Sequence, residues 1–537
     1  MTINPQGQLY LCKTPLENDY KNQLTFSSAN DQLTYFNSTI QHTFNNYTYI
    51  KKDNVLQVGK NIDEIIDCNY LFYRNNGFTD DENNVRIYYC FITNMEYVNE
   101  NCTRITFETD CYQTWLFQIE YKQSFVEREH VNDDRVGLHT VPENLETGEY
   151  ICNEHYKDTT MDNYASDLCF VMASTSEPIA GDAKDTVAPS AIYNGIYTGL
   201  TYYRYDATDA IDIMLEVFAN SAKTDAINGV FMAPKWLAPL NDQSLYREVA
   251  QSNTPQSFNI NVSKQNTLNG YTPINNKLKC FPYNYLLVSN NIGQNAILQY
   301  EKFSDNTNAT FNVKGVLNPG CSVNITPTNY NGSASSDNDA ITLGKFPICN
   351  FQNDMYTNWL TQNSINVMGQ TITSDDINIA GSALSATAST LTNLAVGNFA
   401  GAGMSVASGF AGIAGAVMQQ KQHNMIAPTV NGQLNSADVN VASGNNTFHF
   451  YKMSVKAEYA RIIDNYFSMF GYKINRVKVP NITGRSNWNY VKTINCNFDG
   501  NIPQTDLNII RAMFNNGVTL WHNPSTIYNY SNSNNII

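Results

Sequence analysis

The sequence predicts a mainly β fold of the α+β class, with a few helices and one long hydrophobic loop insertion. Two observations predict the sheet. Aromatic residues make up 12% of the chain, with 34 Tyr and 26 Phe, and many stand beside Thr, Val and Ile, a mixture suited to pleated, half-buried surfaces. Short apolar runs also recur between Asn/Asp-rich turns such as Arg74-Asn75-Asn76-Gly77, which is how strands and their connections are written. The third observation sets the insertion apart. Between Asp376 and Lys421 there is no charged side chain, where about six or seven would be expected from composition.

At 537 residues the chain is long enough for roughly three or four domains with ample cores. Residues 1–157 read as an N-terminal β-rich domain. Its strand-like runs are YLCKTPL, QLTYF, YTYIKK, NYLFYR, VRIYYCFI and RITFET. DCYQTWLFQIEYKQSFVEREHV continues it as a long aromatic element before the turn-rich HTVPENLETGEY.

Residues 158–350 read as a middle α+β/β domain. LCFVMAS and NGIYTGLTYYRYD are strands, and AINGVFMAP is a strand halted by Pro234. Between them Thr208 precedes Ile211, Met214, Leu215 and Phe218, the apolar spacing of a helix, so the unit looks βαβ-like. Polar strands follow over 240–350, punctuated by GSASSDNDA.

Residues 351–445 form the insertion: a helix over 353–371, the uncharged stretch of about 377–420, then polar text. Residues 446–537 return to α+β writing. EYARIIDNYFSMFGYK sets Ile462, Ile463, Tyr466, Phe467 and Phe470 on one helical face, with Gly471 as C-cap. INRVKVP and WNYVKTINCNF are strands. Pro503 opens a helix running to about Asn515, Gly517 stops it, and a strand ends near His522. No internal repeat is visible.

Composition and motifs narrow the function. A net charge of −15 disfavours a nucleic-acid clamp, which needs clustered cations, and suits a conduit that repels phosphate. Eleven Cys without a CxxC pair point to reduced, buried thiols in a protein made in the cytoplasm. MTINPQGQLYLCKTP has neither the basic nor the apolar region of a secretory signal. The sequons at Asn37, Asn46 and Asn324 are chance matches in an Asn-rich chain. The seven His show no i, i+4 pair, and DNDA near Asp337 lacks the Gly and Glu of a calcium loop. GNFAGAG (397–403) has no Lys and reads as packing rather than a phosphate loop.

Glu127, Glu129, Asp133 and Asp134 are the densest carboxylate group and could form a glycosidase pair. Arg128 and Arg135 stand ready to neutralise them. The expectation is therefore no enzyme, no cofactor and no metal.

The uncharged stretch can exist in two settings. As a helix, Leu394–Met418 would reach roughly 37 Å, enough for a ~30 Å hydrocarbon core. Small residues recur four apart at Gly397, Gly401, Ser405 and Gly409, and again at Ala411 and Gly415, a spacing that lets helices approach closely in lipid. Its apolar side chains supply only about −2 to −4 kcal/mol of insertion drive. That marginal value suits a segment packed among its own copies in water and released into lipid later. The alternatives are a helical hairpin kept permanently in an oligomer core, and a flexible linker. The residues expected to carry the loop's activity are Leu391, Leu394, Val396, Phe399, Met404, Val406, Phe410, Ile413, Val417 and Met418.

Three blocks carry a resemblance: QLTYFNSTIQHTFNNYTYIKKD, the whole of 109–150, and YARIIDNYFSMFGYKINRVKVP with NGVTLWH. In them the chain resembles the tail knob, or distal tail tube, proteins of the Picovirinae, the short-tailed phages of the phi-twenty-nine type. The stretch of about 240–350 carries none of these words. The resemblance implies β-rich, tube-forming domains assembled as a homohexamer around a DNA channel. It also implies loops that plug the tube and then penetrate the host membrane. The implied partners are other tail proteins on the lower-collar side and at the tip, host cytoplasmic membrane lipids, and phage DNA passing without specific binding. The implied location is the virion tail. The competing readings are a receptor-binding or cell-wall-degrading tail protein, and a secreted pore-forming toxin, against which the missing signal and the odd Cys count argue.

Overall fold

The computed structural model describes residues 7–75, 85–161, 166–179, 182–187, 191–206, 217–218, 226–242, 246–290, 294–318, 321–330, 341–344, 348–351, 366–367, 370–371, 430–432 and 447–537. Contacts group the chain into two units. The first is Met1–Thr147, Tyr271–Leu278 and Ala457–Ile537; the second is Gly148–Gly270 and Lys279–Lys456.

The first unit opens with β1 (Gly7–Cys12), β2 (Asn22–Leu24), α1 (Ala29–Ser38), β3 (Ile40–Tyr47), β4 (Val55–Val58), α2 (Ile62–Ile65), β5 (Tyr70–Arg74), β6 (Ile87–Asn99) and β7 (Cys102–Thr109). An antiparallel sheet runs β3-β1-β5-β6-β7-β4. Alternation along its strands fills both faces. Leu9, Leu11, Leu71, Tyr73, Ile105 and Phe107 cluster together, while Cys12, Tyr70, Phe72, Tyr89 and Phe91 pack with Phe36 of α1.

QLTYF is thus helical, not a strand. Ser28 caps α1 by accepting from the Asp31 N–H, and Gln32 and Phe36, four apart, are its buried side chains. A cap outweighs the β preference of a short aromatic run. The run from Asp110 is likewise broken into α3 (Cys111–Trp115), a 3-10 turn at Leu116–Gln118, β8 (Ile119–Glu120) and β9 (Ser124–Glu129). Asp110 is the α3 N-cap, accepting from Gln113 N–H at 3.1 Å.

The second unit begins with β10 (Tyr150–Lys157), β11 (Leu168–Ser174), hairpins β12 (Ser176–Ile179)/β13 (Asp182–Val187) and β14 (Ala191–Tyr193)/β15 (Ile196–Thr198), β16 (Thr201–Tyr205) and β17 (Ile227–Pro234). It continues with β18 (Ser257–Ser263), β19 (Asn284–Ser289), β20 (Asn295–Leu298), β21 (Asn308–Val316), β22 (Ser322–Pro327) and β23 (Ile341–Gly344). Last come β24 (Ile348–Phe351), β25 (Asn366–Val367), β26 (Gln370–Thr371), β27 (Val430–Gly432) and β28 (His449–Val455). Three sheets result: β10-β28-β19-β20, β16-β11-β17-β24-β27 and β18-β21-β22-β23. Val171, Phe231, Leu286, Val288, Phe311, Val313 and Phe450 belong to one buried cluster.

Two expectations change here. The pairings of β11 with β16 and with β17 are antiparallel, which is not a βαβ arrangement. Of its expected helix, Ile211, Met214 and Leu215 lie outside the described residues, and Phe218 is buried with Met172, Tyr203 and Tyr205. Within the helix expected over 353–371, the described residues form a hairpin instead, Asn366 opposite Thr371 and Val367 opposite Gln370. Asn and β-branched residues weaken helix propensity there.

The chain then completes the first unit with α4 (Ala457–Phe470), β29 (Tyr472–Lys478), β30 (Trp488–Ile494), β31 (Asp499–Gly500), α5 (Gln504–Asn516) and β32 (Val518–Trp521). The sheet β2-β32-β30-β9-β29 joins both ends of the sequence. Val491, Val518 and Leu520 pack with Ile510, Met513 and Phe514 of α5 and Tyr112 of α3. Gly517 closes α5 at φ +92. In α4 the buried residues are Ala460, Ile463, Asp464 and Phe467, while Ile462 is exposed. Asp464 takes the inward position because Tyr271 Oη, Ile274 N–H and Asn275 N–H donate to its carboxylate at 2.7–3.0 Å.

Candidate functional site

The carboxylates singled out in the sequence are each committed to a partner. Glu129 is buried, pairs with Lys478 and accepts from Asn481 N–H at 2.7 Å. Glu127 pairs with Lys492 at 2.9 Å, and Asp133 with Arg135 at 2.8 Å. Asp134 accepts from Tyr472 Oη at 2.6 Å and Asn276 N–H at 3.0 Å.

Arg128 serves none of these. It binds buried Glu143, which also holds Lys277 at 2.5 Å and the Lys473 N–H at 2.8 Å. Neighbours along a strand face opposite sides, so Arg128 reaches a partner outside its own strand. A glycosidase needs two carboxyl groups facing each other across a substrate gap. This arrangement instead ties an extended segment to the sheet. Glu143 lies in turn-rich text with no periodicity, so only its tertiary partners reveal its role.

Two buried titratable groups of this unit oppose each other. Burial pushes the Asp110 carboxyl up to about 7. His130 is pushed down to about 3, first by burial and then by the Arg485 and Arg128 cations. Its Nδ1 accepts from Tyr490 N–H at 2.8 Å and its Nε2–H donates to Ser468 O at 3.1 Å, so the neutral ring is fully bonded.

Between pH 3.8 and 7 the folded state keeps a proton on Asp110 that the unfolded chain releases, so this contribution falls as pH rises. Between pH 3 and 6.5 the unfolded chain protonates a histidine that the folded state keeps neutral, so that contribution falls as pH drops. The two largely cancel. Asp110→Asn is expected to unmask the histidine, adding about 2 kcal/mol of stability loss between pH 7 and pH 5 relative to the parent. Urea denaturation at the two pH values measures it; an unchanged acid response would refute the assignment.

In the second unit two histidines meet that no sequence spacing signals. His155 Nε2 lies 2.9 Å from His449 Nδ1, and the His155 ring stacks on Tyr451 at 4.6 Å. They stand on neighbouring strands far apart in sequence. The ten cysteines described are free thiols, eight of them buried.

The hydrophobic insertion has a defined root. Cys349 pairs with Gly432, Asn350 with Asn431 and Phe351 with Val430, so the chain leaves on β24 and returns on its antiparallel neighbour β27. Leu391, Leu394, Val396, Phe399, Met404, Val406, Phe410, Ile413, Val417 and Met418 lie outside the described residues. Among the described residues no helix is long and apolar enough to cross a membrane.

Comparison with known proteins places these features. Residues 8–121 match the model for the caudoviral major tail protein N-terminus. The tail knob protein gp9 of Bacillus phage PZA is 26% identical over 98% of this chain and 97% of its own length. That of Bacillus phage phi29 is 25% identical over the same shares. Among solved structures, the bacteriophage C1 tail knob protein gp12 superposes with a TM-score of 0.64 at 16% identity, covering 99% of this chain and all of its own; this likeness speaks for the fold. Residues 246–535 match the model described as the C-terminal domain of the Bacillus phage phi29 tail knob protein gp9, including most of the stretch that carried no recognisable words. That match spans more than half of the sequence, and the chain accordingly belongs to the phage tail knob family, structural components of the virion tail.

Proposed function

We propose that this protein forms a homohexameric distal tail tube through which phage DNA is ejected. Loops of about 377–420 plug the tube and then penetrate the host cytoplasmic membrane. The observation that carries the reading is the uncharged stretch rooted on the paired strands β24 and β27, in a chain of the tail knob family. An acidic chain lining a channel repels phosphate and lets DNA slide without specific binding. Other tail proteins, on the lower-collar side and at the tip, complete the assembly. Each of the four clustered carboxylates instead holds a cation or an N–H, which favours a structural role over a wall-degrading one.

Phe410→Asp tests the loop. An aspartate costs about 2.5–3.5 kcal/mol at a membrane helix centre, comparable with the stretch's whole insertion drive of about −2 to −4 kcal/mol. Assembly should be unchanged, while dye release from phosphatidylglycerol/phosphatidylethanolamine vesicles should fall more than about tenfold. Undiminished release would remove the loop from the mechanism.

A further inference from the structure

The sheet β2-β32-β30-β9-β29 has one face filled by α3 and α5. Its opposite face meets α4 where the Tyr490 ring meets Phe470 edge-on at 5.1 Å, Arg128 lies over the Tyr466 ring and Trp488 Nε1 donates to Ser468 O. Further along, Val477 stands opposite Phe125, and Phe125 opposite Ile494. Directly opposed residues share a face, so the three form one cross-strand row. Val477 is 66% exposed, Ile494 52% and Val479, just beyond the strand, 46%; Phe125 is half-buried. An apolar row in register across three strands is not the scatter of single apolar residues that any surface shows.

The row adjoins a cation. β29 is the sheet's edge; its Lys473, opposite Arg128 and so on the row's face, makes no ion pair with a described residue, whereas Arg476, opposite buried Val126, faces the other side. On a chain of net charge −15, such an edge attracts an acidic partner. The register shift between Lys473 and Arg476, with Asn475 at φ +47, bends the edge and blunts it against open-ended strand addition. Side-chain docking is what this surface offers.

A complementary surface lies in the same unit. The hairpin of β6 and β7 runs out to a tip where Tyr97 is 54% and Val98 41% exposed. Glu96 and Glu100 flank them; Arg104 pairs with Glu96 at 3.2 Å, and among the described residues Glu100 meets only the neutral donors Asn61 Nδ2 and Tyr97 Oη at 3.0 Å. One patch is apolar and cationic, the other apolar and anionic. Two different patches that fit each other on identical chains make a head-to-tail contact, the kind that closes into rings.

We propose that the Val477–Phe125–Ile494 row is a docking surface for the β6–β7 hairpin tip of a second copy of this chain. The proposal rests on the ring-forming reading above and assigns its interface. The test uses the full chain and mass photometry across a concentration series, with thermal midpoints as the control for folding.

Val477→Asp, at an exposed site, is expected to keep the parental midpoint and raise the concentration for half-assembly by about tenfold or more. Lys473→Glu should weaken assembly likewise, and adding Glu100→Arg to it should restore assembly. Parental ring formation by both single variants overturns the proposal and leaves the ring reading intact. A parent chain that stays monomeric throughout overturns both.

Discussion

Glu143→Gln is expected to destabilise the first unit by about 3–5 kcal/mol, because it strands two buried cations. The Arg128 side chain is 10% exposed and that of Lys277 4%. Each gives up its hydration for this one carboxylate. Lys277 gains some further support from the Phe467 and Tyr472 rings, 5.6 and 5.4 Å away, and Arg128 from Gly471 O at 2.7 Å. Neither replaces a counter-charge in a dry site.

The measurement is urea unfolding followed by fluorescence, for which Trp488 and Trp521, both fully buried here, are the reporters. Lys277→Met in the same background removes one stranded charge and should recover part of the loss, so the two substitutions should be strongly non-additive. Additive effects would mean that the three side chains do not act as a cluster.

Gly471→Ala is expected to cost about 2–4 kcal/mol. The residue ends α4 at φ +64, and an added Cβ would fall on the Glu129 carbonyl and the His130 nitrogen. Those are backbone atoms at the end of β9 and just past it, and they cannot swing aside. Gly270 is the control: it has a similar φ of +78 and open space around its Cβ direction, so alanine there should cost only about 1–2 kcal/mol. Thermal melts of both variants separate dihedral strain from collision. Equal losses at the two sites would show that packing against β9 contributes nothing.

Much of the sheet was legible because its strands are short apolar and aromatic runs set between turns. NYLFYR, VRIYYCFI and RITFET are read from pattern alone and become the paired β5, β6 and β7. Pro503 and Gly517 bracket α5 as expected. QLTYF was misread since five residues fit either period, and the deciding signal was the preceding Ser28 with Asp31 three positions on.

The inward turn of Asp464 was illegible because its donors come from residues 271–275. The same holds for β9 lying between β29 and β30, a pairing no local pattern contains. Among the charged residues, Arg135 with Asp133 followed from proximity. Arg128 with Glu143 did not, since the partner is reached across space rather than along the strand.

The hydrophobic insertion leaves and returns on neighbouring strands, so its two feet are held about 4.8 Å apart, the spacing of one sheet step. A closed footprint of that size tolerates insertions of different length, since doubling a loop's length costs only about 0.6 kcal/mol in closure entropy. The architecture therefore works like a socket. A change in the length or composition of the sequence between the two strands leaves their pairing unaltered.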